Sequence, residues 1–188
     1  MPLEIEIKLR APSLDEIRAA LKHAGAVHVG LFHETNIFFD RPDGSLRSAD
    51  SGLRIRIARK DGESASTTLI TFKGPRQKSE LAPREAYDIY ANPAEQAIPL
   101  LEALGFVRVQ SFEKRRESWE FGGCKIELDE LPIFGTFVEI EGPSEESVIR
   151  IRQRLGLTAL AVEKKSYAAM VGEYVREQSV KDNAIVFG

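Results

Sequence analysis

The sequence is poor in the residues that build disulfide frameworks and common metal centres. Of its 188 residues one is cysteine, Cys124, and three are histidine. A lone cysteine excludes a disulfide framework and a thiolate metal cluster, and the three histidines lack metal-ligand spacing. We therefore interpret Cys124 as a small core residue and expect a reducing cytoplasm as the location.

Long apolar runs and an excess of basic charge are also missing. No run of about 18 apolar residues occurs, so we expect no membrane span, and the charged N-terminal segment is unlike a signal peptide. The 26 basic and 29 acidic residues give a net charge of −3, which does not favour nucleic acid or an anionic membrane as partner. With 43% apolar and 29% charged residues, we predict one globular domain over residues 1–176 and a polar tail over residues 177–188.

Alternating hydrophobicity between turn residues predicts eight strands and several amphipathic helices. The strands are expected near residues 3–10, 27–40, 52–60, 66–73, 84–91, 107–121, 124–131 and 134–142. Helices are expected over residues 11–25, with a capping box from Ser13 and Glu16, and over 92–105, 143–156 and about 164–176. This order predicts an α+β fold, in which eight antiparallel strands can close a barrel with helices outside.

Charged residues recur at every second position of these strands, and each strand favours one sign. Acidic pairs occupy positions 4/6, 127/129 and 139/141, whereas basic pairs occupy 54/56 and 114/116, with Lys8 and Lys73 added. For any single strand, a solvated face is the usual explanation. A face selected for solubility would, however, mix the two signs of charge within a strand. The helices also need an apolar surface on which to pack, and the aliphatic rows provide it. We therefore predict that the charged rows face the interior.

Charged rows inside a barrel must neutralise one another or a ligand, because an unpaired buried charge is very costly. Carboxylates from neighbouring strands form a hard-oxygen site suited to Mg²⁺ or Mn²⁺. Arginine and lysine facing them suit an extended polyphosphate. A triphosphate with a divalent metal uses both rows at once, which makes it the predicted ligand.

The same residues carry a resemblance to a known family. The chain resembles CYTH domain proteins, also called triphosphate tunnel metalloenzymes, over about residues 3–172. The resemblance rests on Glu4-x-Glu6-x-Lys8 followed in order by further motifs: Gly52-Leu-Arg-Ile-Arg56, Thr71-Phe-Lys-Gly-Pro75, Glu113-Lys-Arg-Arg116, Glu127-Leu-Asp-Glu-Leu131, Gly135-Thr-Phe-Val-Glu-Ile-Glu141 and Lys165-Ser-Tyr167. It implies an eight-stranded antiparallel barrel around a charged tunnel, and many relatives are homodimers.

The resemblance also implies roles for individual residues. Lys8, together with Glu4 and Glu6, is the expected catalytic group, with Lys8 beside the reacting phosphorus or its water. The expected metal ligands are Glu4, Glu6, Glu139, Glu141 and Asp129, with orientation of a basic residue as the alternative for Asp129. The expected triphosphate ligands are Lys8, Arg54, Arg56, Lys73, Lys114, Arg116 and Lys165. Glu85 is a further candidate for a carboxylate inside the barrel.

One position departs from the family pattern. Many members have Tyr-Phe-Asp where this chain has Phe38-Phe39-Asp40, and in thiamine triphosphatase-like members that tyrosine is thought to work with the lysine. Phe38 lacks the hydroxyl, so a phenol-assisted mechanism is in doubt. Metal-dependent hydrolysis of a triphosphate is the leading hypothesis. Class IV adenylyl cyclase activity, which converts ATP to cyclic AMP and pyrophosphate, and non-catalytic polyphosphate or nucleotide binding are the alternatives.

Overall fold

A computed structural model describes residues 3–77, 83–91 and 94–188. The strands are β1 (Leu3–Glu4), β2 (Glu6–Arg10), β3 (Val27–Asp40), β4 (Gly52–Lys60), β5 (Ser66–Lys73), β6 (Arg84–Tyr90), β7 (Val107–Phe121), β8 (Cys124–Leu131), β9 (Gly135–Glu141) and β10 (Ala184–Ile185). The α-helices are α1 (Asp15–His23), α2 (Ser45–Ser48), α3 (Ala94–Ala103), α4 (Glu145–Arg154) and α5 (Tyr167–Gln178). Short 3₁₀ helices cover Leu157–Ala159 and Lys181–Asn183.

The strands form one strongly curled sheet in the order β1-β6-β5-β4-β3-β7-β8-β9-β2, and every pairing along this path is antiparallel. The two ends of the path, β1 and β2, are parts of one N-terminal strand interrupted at Ile5. β2 pairs with β9 over five residues, whereas the described pairs between β1 and β6 are Leu3 with Glu85 and Glu4 with Arg84. The N-terminal strand thus draws the two edges of the sheet together.

The outer face of the sheet is apolar, as the alternation predicts. Ile5, Ile7 and Leu9 are buried against α1 and α4, in a cluster that includes Leu21 and Ile151. Because side chains of a strand alternate between faces, burying this row outward directs Glu4, Glu6 and Lys8 to the inner face.

A second cluster covers another part of the outer face, where Leu53 and Ile55 of β4 pack with Leu101 of α3. A third cluster lies on the inner face, because Phe112 and Phe137 share the phase of Lys114 and Glu139, and it packs against Met170 of α5. Within the described residues, no helix has the length and hydrophobicity needed to cross a bilayer.

The predicted strands agree closely with the observed ones, but one helix start was wrong. Ser13 and Glu16 form no capping box, because α1 begins at Asp15 after Leu14 and the Ser13 hydroxyl accepts the Asp15 N–H instead. A capping box is present at α4, between Ser144 and Ser147. The predicted start of the second helix at residues 92–93 lies outside the described residues. The polar tail is partly ordered, since β10 pairs in parallel with β7.

Two isoleucines of α4 provide a matched test of this packing. Ile151 is fully buried in the cluster beneath β2, whereas Ile149 is 41% exposed. We expect Ile151→Ala to lower the free energy of unfolding by about 2–5 kcal/mol, because the substitution removes buried methyl groups and leaves a cavity. Ile149→Ala should change it by about 0.5 kcal/mol or less. Urea unfolding measures both, and equal losses would contradict the assignment of the buried face.

Candidate active site

The curled sheet encloses a cavity of about 1300 Å³. The charged rows of the strands line it, as their alternation predicts. Its charged lining includes Glu4, Glu6, Lys8, Glu34, Arg54, Arg56, Lys73, Asp88, Lys114, Arg116, Glu127, Glu139 and Glu141. The structure therefore brings most of the predicted site residues into one chamber.

The N-terminal strand places its charges against two neighbours. The Lys73 ammonium donates to Glu4 Oε1 at 2.6 Å. Lys8 is buried, and its Nζ lies 3.5 Å from Glu139 Oε1 and 3.9 Å from the centroid of the Tyr167 ring. It also donates to the backbone carbonyl of Lys165 at 3.1 Å. These contacts hold the Lys8 ammonium at the cavity wall.

Asp129 is the centre of a buried hydrogen-bond network. Its carboxylate is 0% exposed and accepts two hydrogen bonds from Arg116, at 2.6 and 2.5 Å, one from Lys114 at 3.2 Å and one from the Tyr167 hydroxyl at 2.8 Å. Four donors leave little capacity for a metal ion. This geometry fits orientation of Arg116 and Lys114, the alternative role for Asp129, better than metal ligation.

Glu34 is a second internal counter-ion. Its carboxylate lies 3.3 Å from Arg56 and 3.4 Å from Lys114. Burial alone would raise the pKa of Glu34, but Lys114 and Arg56 outweigh it and hold that pKa well below its ordinary value. Glu34 therefore stays ionised and stabilises two of the cations predicted to bind phosphate.

The guanidinium of Arg54 is only partly satisfied by hydrogen bonds. Its terminal nitrogen donates to Thr71 at 3.3 Å, but its Nε is buried and lacks a hydrogen-bond partner. Burial, together with the charge of Arg56, lowers the pKa of Arg54 to about 9, so the guanidinium remains charged at neutral pH. A buried cation with an unsatisfied N–H favours an anionic ligand.

Some carboxylates of β2 and β9 face one another rather than a cation. Glu6 pairs with Glu141 across the ladder, and Lys8 with Glu139. Burial and then Glu139 raise the pKa of Glu6, and burial and then Glu4 raise the pKa of Glu141. Glu6 and Glu141 therefore lack sufficient positive charge nearby. Glu139 differs, because Arg116 and Lys8 outweigh its burial and hold its pKa well below the ordinary value.

The donor chemistry of this region fits a hard divalent cation. Mg²⁺ and Mn²⁺ bind carboxylate oxygen, and an added cation would relieve the repulsion among Glu4, Glu6, Glu139 and Glu141. Among the residues that the structure describes, no three carboxylate, imidazole or thiol groups converge as a ready-made metal site. The ion pairs explain this arrangement, since Lys73 holds Glu4 while Arg116 and Lys8 hold Glu139.

Two predicted positions differ from expectation. Lys165 does not line the cavity, because its side chain is 55% exposed and its Nζ pairs with Glu173 at 2.5 Å. The prediction that Glu85 faces the cavity was wrong. Arg84, Ala86, Asp88 and Tyr90 line it instead, so Glu85 lies on the opposite face of β6, where its carboxylate accepts the Tyr87 hydroxyl.

The charged residues of the chamber that were missing from the predicted site include Glu34, Asp88 and Glu127. Glu127 accepts the Ser118 hydroxyl at 2.5 Å and lies 2.7 Å from Lys125. Glu127 could have been predicted, because it belongs to the same alternating row as Asp129. Glu34 could have been predicted from its two-residue spacing with Asn36 and Phe38 in β3. Asp88 accepts the Thr71 hydroxyl at 2.6 Å. Its place in the cavity could be predicted only if the phase of β6 were known.

The phenol absent at Phe38 is not supplied by Tyr167, the tyrosine beside Lys8. Phe38 lines the cavity and stacks on Phe112, with ring centroids 5.7 Å apart. Tyr167 places its ring beside Lys8, but its hydroxyl is committed to Asp129. Burial and the Asp129 charge raise the pKa of Tyr167 well above its ordinary value, so the phenol remains protonated.

Comparison with known proteins agrees with the fold and the charged cavity. The family model for the CYTH domain matches residues 2–167, and the chain belongs to this family. It is 27% identical to adenylate cyclase CyaB of Aeromonas hydrophila over 188 residues, which cover 95% of this chain and 93% of that protein.

Solved structures show the same fold. The PH1819 protein of Pyrococcus horikoshii superposes with a TM-score of 0.79 at 27% identity, covering 91% of this chain and 99% of that one. HpAC1 of Hippeastrum, a proposed adenylyl cyclase for which a dominant triphosphatase activity is described, superposes with a TM-score of 0.68 at 21% identity, covering 97% and 99%.

The raised pKa of Glu6 gives a test of the uncompensated carboxylates. A raised pKa in the folded state means that the contribution of Glu6 to stability is fully present below its unfolded pKa of about 4.3 and is lost as the pH rises through the folded value. We therefore expect Glu6→Gln, measured with a chelator by urea unfolding, to equal the unsubstituted protein near pH 4 and to become increasingly more stable toward pH 8.

Glu120→Gln is the matched control, because Glu120 is exposed at the end of β7. It should change the free energy of unfolding little at any pH. A Glu6→Gln protein that is less stable than the unsubstituted protein at pH 8 would show that Glu6 is adequately paired within the chain.

Proposed function

We propose that the protein is a divalent-metal-dependent enzyme that hydrolyses a triphosphate bound inside the cavity. The observation that carries this proposal is Arg54, a half-buried cation whose Nε is buried and unpaired, in a chamber that also holds uncompensated carboxylates. An anion alone would satisfy only Arg54, and a metal alone would satisfy only the carboxylates. A metal-bound polyphosphate satisfies both.

The cations of β4, β5 and β7 provide the phosphate contacts. Arg54 and Arg56 lie on one wall, and Lys73, Lys114 and Arg116 extend the positive surface around the chamber. Asp129 and Glu34 fix the positions of Arg116, Lys114 and Arg56 before any ligand arrives. Donors already held in place stabilise charge on a transferring phosphoryl group without reorganising.

Lys8 is the proposed catalytic residue of the chain. Its ammonium lies at the junction of the acidic and basic regions, 3.5 Å from Glu139. From there it can donate to a phosphoryl oxygen or orient the attacking water. Glu4, Glu6, Glu139 and Glu141 would hold Mg²⁺ or Mn²⁺, and such a metal supplies charge neutralisation and a water of lowered pKa.

Cyclisation of ATP is the second candidate, favoured by the relative named adenylate cyclase in Aeromonas hydrophila. It would use the same cations to hold the triphosphate, with a ribose hydroxyl attacking the α-phosphorus. The description of HpAC1, a protein of the same fold, names triphosphatase activity as dominant, which supports hydrolysis as the first candidate.

Product analysis distinguishes the two reactions. We expect the protein, incubated with Mg²⁺ or Mn²⁺ and either ATP or tripolyphosphate, to release phosphate, because water can reach a phosphate chain held in the open cavity. A chelator should abolish the release. Phosphate and cyclic AMP are measured in the same samples, and cyclic AMP formed without free phosphate would overturn hydrolysis in favour of cyclisation.

Arg54 and Arg59 of β4 provide a matched test of phosphate binding. We expect Arg54→Gln to weaken tripolyphosphate binding about ten- to a hundredfold, because a charge-assisted hydrogen bond contributes about 1.5–3 kcal/mol. Arg59 is exposed and does not line the cavity, so Arg59→Gln should leave binding unchanged. Isothermal titration calorimetry measures both variants.

Stability provides a second readout for the same pair. Because the Nε of the half-buried Arg54 is buried and unpaired, its replacement should not lower the free energy of unfolding. A large loss of stability in Arg54→Gln would instead identify Arg54 as a structural residue.

A further inference from the structure

Asp88 of β6 is a carboxylate of the cavity wall that lies outside the network centred on Asp129. It lines the cavity and is exposed to it. A carboxylate on the wall of a cavity that binds an anion repels that anion. Its presence there is unfavourable for binding unless Asp88 contributes something else, and its contacts show what it contributes.

Three polar residues lie side by side across three neighbouring strands. Arg54 of β4 is paired with Thr71 of β5, and Thr71 is paired with Asp88 of β6. Side chains directly opposed on one face of an antiparallel sheet are close enough to interact. The register of the two ladders therefore places a guanidinium, a hydroxyl and a carboxylate in a row.

The hydroxyl of Thr71 connects the other two groups. It donates to Asp88 Oδ1 at 2.6 Å and accepts from Arg54 Nη2 at 3.3 Å. A hydroxyl has one proton and two lone pairs, so its lone pairs remain for Arg54 because its proton is bound by Asp88. Thr71 is only 1% exposed, which limits competition from water, and hydrogen bonds connected in this way strengthen one another.

Arg54 depends on such support because its charged neighbours act against it. Arg56 and Arg116 repel the Arg54 guanidinium. The hydrogen bond from Nη2 to Thr71 holds one end of this group, while the buried Nε has no partner. The contact with Thr71 therefore fixes the guanidinium without using the N–H group that is available to a ligand.

We propose that Asp88 is a positioning residue, which acts through Thr71 to hold Arg54 with its unpaired Nε available to a phosphoryl oxygen. This inference rests on the proposed triphosphate site, because Arg54 is a phosphate ligand only if that site exists. A guanidinium that is already held loses little freedom when a ligand binds, and this gain offsets the repulsion between Asp88 and the anion. Asp88 itself is exposed, so its charge stays hydrated.

Paired substitutions at the two supporting positions test the inference. The probe is tripolyphosphate with methylene groups at both bridging positions, which is not hydrolysed there, and calorimetry with Mg²⁺ measures its affinity. Asp88→Ala removes the acceptor and Thr71→Val removes the hydroxyl. We expect each to weaken binding about three- to tenfold, the usual effect of losing one hydrogen bond.

The conservative variants should restore binding. Asp88→Asn keeps an acceptor oxygen without the charge and Thr71→Ser keeps the hydroxyl, so both should bind the probe at least nearly as tightly as the unsubstituted protein. In an Arg54→Gln background, Asp88→Ala should have no further effect, because its role passes through Arg54. Thr67→Val is the matched control, since Thr67 also lines the cavity from β5 but pairs with Ala58, and it should leave binding unchanged.

The outcomes separate this inference from the proposed function. Weaker binding of both Asp88→Ala and Asp88→Asn would assign the effect to negative charge, as in metal binding, and tighter binding of both would assign it to repulsion alone. Either result, or a loss in Asp88→Ala that persists without Arg54, overturns the positioning role and leaves the triphosphate site in place. Failure of the unsubstituted protein to bind the probe overturns the triphosphate site itself, and the positioning role with it.

Discussion

Ionised side chains placed inside a curled sheet must find opposite charge within a few ångströms, and this constraint organises the whole chamber. Asp129 collects Arg116, Lys114 and the Tyr167 hydroxyl, and Glu34 holds Arg56 and Lys114. These pairs satisfy the buried charge without a ligand and fix its geometry. Neutralisation is incomplete only in part of the lining, and that part contains both an unsatisfied guanidinium and crowded carboxylates.

The packing of the outer face of the sheet determines which side chains point to the inner face. Ile5, Ile7 and Leu9 pack under α1 and α4, and the two-residue period of a strand then directs the intervening charges inward. A shift in register by one residue would exchange the two faces and put carboxylates against the helices. The apolar cluster beneath β2 therefore determines which charges meet in the cavity, although its members do not line that cavity.

Much of this could be predicted from the sequence where one face of a strand is uniformly aliphatic, as in β2, β4 and β9. The phase of β6 could not, because Arg84–Tyr90 carries polar and aromatic residues on both faces, and Glu85 was placed inward instead of Asp88. Ion-pair partners were also beyond prediction. They depend on which residues face one another across ladders, and Asp129 meets Arg116 only through the register of β7 and β8. The β-bulge at Val109, between the pairs Phe38–Gln110 and Phe39–Arg108, leaves no clear mark in the sequence.

The N-terminal strand pairs with a strand far away along the chain, and this distance affects how the chain folds. β2 pairs with β9, so Glu6 must find Glu141 after nearly the whole domain has been synthesised. Contacts so distant along the chain close large loops and slow folding. The row of Ile5, Ile7 and Leu9 can meet α1 early, because α1 follows it closely along the chain, whereas α4 and β9 can cover and pair it only later. The wall that holds Glu6 and Lys8 is therefore closed by residues far away in the sequence.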